Sequence, residues 1–164
     1  MNGAIAMTPT TPPQGVEDRA PNTAFWCSLH VGNDTVSRSV PHVNNAEYVR
    51  WVDRAAELAI DHVGYTRQRL IEEDRMWFVV RHELNYRAEC FVDDELLIAT
   101  WVREYSRTTS LRDTVIYRPA DDRLVFDATT RWAFIDLSTR RPIRIPAEVQ
   151  NIVPATPFQL ARTP

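Results

Sequence analysis

The stretch PHVNNAEYVRWVDRAAELAIDHVG, residues 41–64, carries a start signal, a helical body and a stop signal in succession. Asn44 can cap a first turn, because its side-chain oxygen accepts from backbone N–H groups that have no partner inside the helix. Glu47, three residues on, stands where it could reach back and complete a capping box. Gly64 supplies the left-handed residue that commonly closes a helix. At about 100° per residue, the apolar and aromatic positions from Tyr48 to Val63 cover an arc of roughly 200°. Glu47, Arg50, Arg54, Glu57 and Asp61 fill the remainder, with Asp53 beside Ile60 at its edge. A surface helix buries a narrower stripe than this. So wide an arc predicts a helix wrapped by something curved, which points to a sheet.

Working outward, the upstream run from Ala24 to Val31 alternates Phe25, Cys27, Leu29 and Val31 with Trp26, Ser28 and His30, the two-residue period of a strand. Downstream, four strand-like stretches follow a polar segment: 76–86, 95–104, 108–118 and 123–135. The first is read with Met76, Phe78, Val80, His82, Leu84 and Tyr86 on one face, and the last with Leu124, Phe126, Ala128, Trp132 and Phe134 on one face. The third alternates less cleanly. Asp93-Asp94 and Pro119-Ala120-Asp121-Asp122 are turn signatures, so an antiparallel meander is the expected topology. One strand, one long helix and four strands curled around it make an α+β protein.

Residues 1–22 hold four of the eleven prolines and little apolar content after Met7, which predicts a mobile tail. The domain is expected over 23–150, with an irregular tail at 151–164. With 44% hydrophobic residues in 164, the chain can bury one good core. A net charge of −3, with both signs interspersed, gives no footprint for nucleic acid and no reason to expect a membrane surface. No apolar run approaches the roughly 18 residues of a spanning segment, and no basic-then-apolar leader is present. Cys27 and Cys90 lack metal-ligand spacing and read as buried free thiols. These features point to the cytoplasm.

The run His42-Val43-Asn44-Asn45, followed by Tyr48, Arg50 and Trp51, resembles the helix start of hotdog-fold thioesterases of the 4-hydroxybenzoyl-CoA thioesterase group. A strand with an aromatic residue at Trp77, a turn ending Asp94-Glu95-Leu96 and a closing segment from Asp136 through Thr139-Arg140-Arg141-Pro142 to Ile145-Pro146 extend the likeness over about Ala24 to Val149. The resemblance implies a curved antiparallel sheet around a central helix, assembled as a homodimer or homotetramer with active sites between subunits. It implies hydrolysis of an acyl-CoA or acyl-carrier-protein thioester, with no metal and no bound cofactor, since CoA enters as part of the substrate.

The chemistry needs a donor for the carbonyl, an activated water or nucleophile, and a place for phosphates. The resemblance assigns the donor to the backbone N–H of Asn45, at the positive end of the helix; a purely capping role for Asn44 and Asn45 is compatible with it. The group carries an aspartate four residues before the motif histidine and a glycine directly before it. Here those positions are Arg38 and Pro41, and a guanidinium cannot act as a general base. Asp34 is the nearest carboxylate upstream. Asp53, eight residues after Asn45, matches the helix-borne acid of another hotdog branch, and is equally readable as a solvated partner of Arg50 or Arg54. His42 could orient water or substrate, or could be structural. No Ser-His-Asp arrangement is evident around Ser37 and Ser39. Arg103, Arg107, Arg140, Arg141 and Arg144 are candidates for phosphates, with Arg140, Arg141 and Arg107 preferred. His82 is assigned no role. The alternative to an enzyme is a hotdog protein without the loop acid that binds acyl thioesters or serves as an oligomeric scaffold.

Overall fold

A computed structural model describes residues 5–16 and 18–158. Its elements are β1 (Met7–Pro9), β2 (Phe25–His30), α1 (Asn45–His62), α2 (Arg67–Glu72), β3 (Arg75–Tyr86), β4 (Glu95–Tyr105), β5 (Thr109–Arg118), β6 (Arg123–Asp136) and α3 (Ala147–Ile152). The strands form one antiparallel sheet in the order β1-β2-β4-β5-β6-β3. Helix α1 packs on its inner face. This is the α+β arrangement of one long helix in a curved sheet.

The two signals at the ends of α1 act largely as read. The Asn44 side chain accepts from the Ala46 N–H at 3.0 Å. Gly64 takes φ +76°, and the Tyr65 N–H closes back on the Ile60 carbonyl. A residue with a Cβ would pay for that left-handed conformation. Glu47 differs from expectation: it does not complete a capping box but pairs with Arg50 at 3.0 Å, one turn along the helix. Tyr48, Trp51, Val52, Ala55, Ala56 and Ala59 are buried, whereas His62 and Val63 are exposed, so the enclosed arc narrows toward the last turn.

The meander holds only for β4-β5-β6. β3 pairs with β6 at the far edge, and β2 takes the place beside β4. The reason lies in the connection between Tyr86 and Glu95, which is not a tight hairpin. The Arg87 and Ala88 N–H groups donate to the Val125 carbonyl, and the Cys90 carbonyl accepts from Val43 N–H. That segment passes beneath the start of α1 and returns the chain to the β2 side.

Two bulges also change which residues face the helix. A register shift between Val79 and Arg81 puts Trp77 and Val79 on the same side as His82, Leu84 and Tyr86, so the expected face running through Phe78 and Val80 is interrupted. A second shift, at Ile116/Tyr117, leaves Leu124 opposite Tyr117 on the outer layer, while Val125 and Phe126 both enter the inner core. One extra residue in a strand reverses the faces beyond it.

The expected mobile tail over 1–22 needs correction. Met7–Pro9 adds an edge strand to β2. Val16 and Ala20 are buried on the outer face of the sheet against Trp26, Ala99, Trp101, Val115 and Tyr117. Arg19 stacks over the Tyr117 ring at 3.9 Å and pairs with Asp122 at 2.8 Å. The outer face carries two tryptophans, and a face so apolar has to be covered. The far end of the chain helps cover it. Thr156 N–H donates to the Val102 carbonyl, and Phe158 meets Trp101 edge-on, so the expected irregular tail is docked at least to Phe158. Residues 1–4, 17 and 159–164 of these expected tails lie outside the described residues.

Candidate active site

The start of α1 is held by backbone contacts from both flanking segments. Asn44 N–H donates to the Thr35 carbonyl, and Ser37 N–H to the His42 carbonyl, so the loop after β2 folds back onto the helix start. Asn45, the first helical residue, accepts the Tyr86 hydroxyl at its carbonyl (3.1 Å). Its own N–H has no acceptor among the described residues, which leaves a free donor at the positive end of an 18-residue helix. Beneath it Tyr48, Trp51, Tyr86 and Phe126 pack with ring centroids 4.9–5.3 Å apart, a stiff floor that fixes the direction of this N–H.

His42 lies just outside the helix, its Nδ1 2.8 Å from Glu89 Oε1. Asp34 reaches the same neighbourhood in sequence, one residue before Thr35. Its carboxylate turns back over Gly32, however: a Cβ at position 32 would lie only 2.8 Å from Asp34 Oδ1. Asp34 and Arg38 are exposed.

Farther along α1, a cavity of about 480 Å³ opens between the helix and the inner face of β3, β5 and β6. Asp53, Arg50 and Arg67 stand exposed at its mouth, and Leu70, Tyr65, Ser110 and Arg112 are buried in its wall. Trp77, Trp132 and Tyr105 give it an aromatic lining. Asp53 is the one sequence-read acid that lines the cavity. It makes no ion pair among the described residues: Arg50 is taken by Glu47, and Arg54 by Glu57 at 2.6 Å. Partial desolvation at the cavity mouth raises its pKa above the ordinary carboxylate value; the nearby His82 and Arg67 pull it down, and Glu57 pushes it up. His82, turned inward by the β3 bulge, holds Thr130 Oγ1 at 2.9 Å. A carboxylate that faces a cavity with a raised pKa and no cationic partner is poised to take a proton.

The structure does not gather the candidate arginines into this cavity. Arg103 is committed to Asp113, at 3.0 and 3.1 Å, on the outer face. Arg107 sits in the β4–β5 turn, where its carbonyl accepts from Ile145 N–H. Arg140 (φ +59°) and Arg141 lie in the turn after β6, organised by Asp136, whose Oδ1 accepts from both Thr139 N–H and Oγ1 at 2.7 Å. All three are exposed, at one end of the sheet beside the cavity wall formed by Tyr105, Trp132 and Val149. The free thiols Cys27 and Cys90 are buried as read; burial pushes Cys27 to about 12 and raises Cys90 as well, which makes them poor nucleophiles. No cluster of three metal-binding side chains occurs among the described residues. No helix among them is long and apolar enough to cross a membrane.

Arg67, Ser110, Arg112 and Trp132 were not singled out as site residues by sequence reasoning. The signal available for two of them was the imperfect alternation of 108–118, which reflects Ser110, Arg112 and Thr114 facing inward where apolar residues would be expected.

Comparison with known proteins bears on this geometry. Residues 39–153 match the family model described as the thioesterase-like superfamily. The chain is 29% identical over 109 residues to the acyl-CoA thioesterase YbgC of Haemophilus influenzae, covering 66% of this chain and 79% of that protein. It is 24% identical over 110 residues to the long-chain acyl-CoA thioesterase FadM of Escherichia coli, covering 67% and 83%. Among solved structures, a 1,4-dihydroxy-2-naphthoyl-CoA thioesterase from Synechocystis superposes with a TM-score of 0.72 at 18% identity, over 79% of this chain and 94% of that one. That last likeness speaks for the fold alone.

Proposed function

The chain belongs to the thioesterase-like superfamily, and from that premise we propose that it hydrolyses the thioester of an acyl-CoA or acyl-carrier-protein, using Asn45 N–H and Asp53. The observation that carries this reading is Asp53 itself: a carboxylate with a raised pKa and no ion pair among the described residues, at the mouth of a cavity lined in part by aromatic side chains. The Asn45 N–H, strengthened by the helix dipole, polarises the carbonyl and stabilises the oxyanion. Asp53 takes a proton from water as that water attacks the carbonyl carbon. Collapse of the tetrahedral intermediate expels the thiolate, which receives the proton back.

Asn45 and Asp53 are eight residues apart on one helix, about 12 Å along its axis, too far to act on one carbonyl. The reading therefore requires two copies, one contributing Asn45 and the other Asp53 to each site. β3 supports this. Among the described residues it is an edge strand with one side unpaired, and Phe78 and Val80 on it are 41% and 59% exposed. Two such edges related by a two-fold axis extend the sheet across a homodimer, from which a homotetramer could be built. Arg107, Arg140 and Arg141, exposed at the end of the sheet and in no ion pair among the described residues, are the proposed contacts for the CoA phosphates. A cytoplasmic location fits a CoA substrate.

The test is hydrolysis of a panel of acyl-CoAs by wild type and Asp53→Asn. Loss of a positioned base should lower kcat by roughly 10²–10⁴. Undiminished turnover in the variant would remove Asp53 from the mechanism. Folded wild type without activity on any acyl thioester would favour the second reading, a protein that only binds them, for which the Arg38 in place of the usual loop acid is the specific observation.

A further inference from the structure

Strand alternation on β5 turns Ser110, Arg112, Thr114 and Ile116 toward the helix. Arg112 is therefore an arginine on the inner face of the sheet. It is 6% exposed, lines the cavity, and its side chain makes a single hydrogen bond among the described residues, Nη1 to Thr100 Oγ1 at 3.4 Å. No carboxylate lies within ion-pair distance among the described residues. Glu57, on the opposite wall, is held by Arg54. Asp113, next in sequence, faces outward to Arg103. Burial lowers the Arg112 pKa to about 10, so the guanidinium is still charged at neutral pH. Tyr105 beside it is kept a neutral phenol by burial, and its hydroxyl is spent on the Val153 carbonyl at 2.8 Å. The Ser110 hydroxyl has no hydrogen bond among the described residues, and Trp132, on the same wall, has a buried indole N–H without an acceptor.

A buried cation without a counter-charge is among the most destabilising features a core can carry. Here it stands beside the unbonded Ser110 hydroxyl and Trp132 indole N–H, with no carboxylate bonded to it among the described residues, in a cavity whose walls also include Met76, Trp77, Leu70 and Ile60. The cavity thus combines apolar wall residues with the planar guanidinium fork of Arg112, the geometry that matches a carboxylate with two parallel hydrogen bonds. The other charged side chains that line it, Arg50, Asp53, Arg54, Glu57 and Arg67, stand on or beside the helix side. We propose that this cavity takes the acyl group and that Arg112 binds a carboxylate at its far end, so that ω-carboxyacyl thioesters are the preferred substrates. The proposal rests on the thioesterase reading for its substrate class, and names the specificity-determining residue within it.

The test compares glutaryl-CoA and adipyl-CoA with the neutral ω-methyl esters of the same acyl groups. Wild type is expected to show kcat/KM at least tenfold higher for the free carboxylates. In Arg112→Met that ratio should fall to near one, and in Arg112→Lys, which keeps the charge but loses the fork, to an intermediate value. Equal kcat/KM for acid and ester in wild type, or an unchanged ratio in a folded Arg112→Met, overturns the proposal. If Arg112→Met fails to fold by circular dichroism, the wild-type ratio alone decides. If no thioester is hydrolysed, the thioesterase reading fails separately. Calorimetric binding of glutaryl-CoA against its methyl ester to the same protein then tests Arg112: tenfold tighter binding of the acid upholds the carboxylate site, and equal affinity rejects it.

Discussion

Asp53 carries two opposed consequences of one shift. Its carboxyl is pushed above the ordinary value of 3.8 by partial desolvation at the cavity mouth. As a base it must be ionised, so the acid limb of the rate profile should be displaced upward from 3.8. As a folded-state group it binds its proton more tightly than in the unfolded chain, so stability is lost as pH rises from 3.8 through the raised value. Asp53→Asn removes that loss. It should melt higher than wild type at pH 7, with the difference vanishing below about pH 3.8, where both states are protonated. Calorimetric scans across pH check this; a variant less stable at pH 7 would mean Asp53 is an ordinary structural carboxylate. Higher stability with lost activity is the usual mark of a functional group held in an unfavourable setting. The arginines allow a simpler test. Arg140→Ala with Arg141→Ala should raise KM for an acyl-CoA about tenfold and leave an acyl-pantetheine unchanged, since only the former carries the nucleotide phosphates. Equal effects on both would remove these arginines from the nucleotide site.

The elements differ in how far their residues announce them. Helix α1 was legible from Asn44 to Gly64 because caps and the apolar arc are local properties, and the observed bounds, Asn45–His62, fall within one or two residues. The strands were legible as segments for the same reason. Their pairing was not: β3 looks like the first arm of a meander, and only the tie of 87–90 under the helix start sends it to the far edge. Nor were the bulges at Val79/Arg81 and Ile116/Tyr117, since one inserted residue leaves no composition signal. The buried, charged floor of the cavity was hidden for a related reason: Arg112 in a strand is read as an outward position until its register is known. The mobile tail read over residues 1–22 was misread where that segment is described, because its prolines and threonines conceal three anchors, Met7, Val16 and Ala20, spaced too irregularly to show a period. Truncation of residues 1–21 should therefore destabilise, contrary to what a mobile tail would do. Uncovering Trp26, Trp101 and Tyr117 and losing the Met7 edge strand costs about 3 kcal/mol or more by apolar area alone. For a chain of this size that is roughly 6–12 °C in Tm. A melting temperature within 1 °C of wild type would show that the docked segment contributes nothing.

At the scale of the whole molecule, one chain is both incomplete and over-supplied. In the proposed reading it has a donor at Asn45 and a carboxylate at Asp53 that cannot meet, and its β3 edge pairs with no further strand among the described residues. At the other edge β1 is only three residues long, the kind of short strand that discourages further pairing. β3, by contrast, presents twelve residues, with Phe78, Val79 and Val80 exposed in its first half, beside Trp77 at the cavity wall. An isologous pairing of two β3 edges would cover these residues and bring a second α1 toward the cavity mouth. Sedimentation at micromolar concentration should give a dimer or a multiple of it, and Val80→Arg should shift it to the 19.0 kDa monomer. Val80 lies outside the cavity and is more than half exposed in the single chain, so the substitution should leave the fold of each protomer intact. Its effect on catalysis then becomes informative. If each site is built from two chains, the monomeric variant loses turnover in proportion to the dimer lost, and activity returns as protein concentration is raised. Full activity in a stable monomer would mean that one chain completes its own site, and the pairing of Asn45 with a second copy's Asp53 would have to be abandoned.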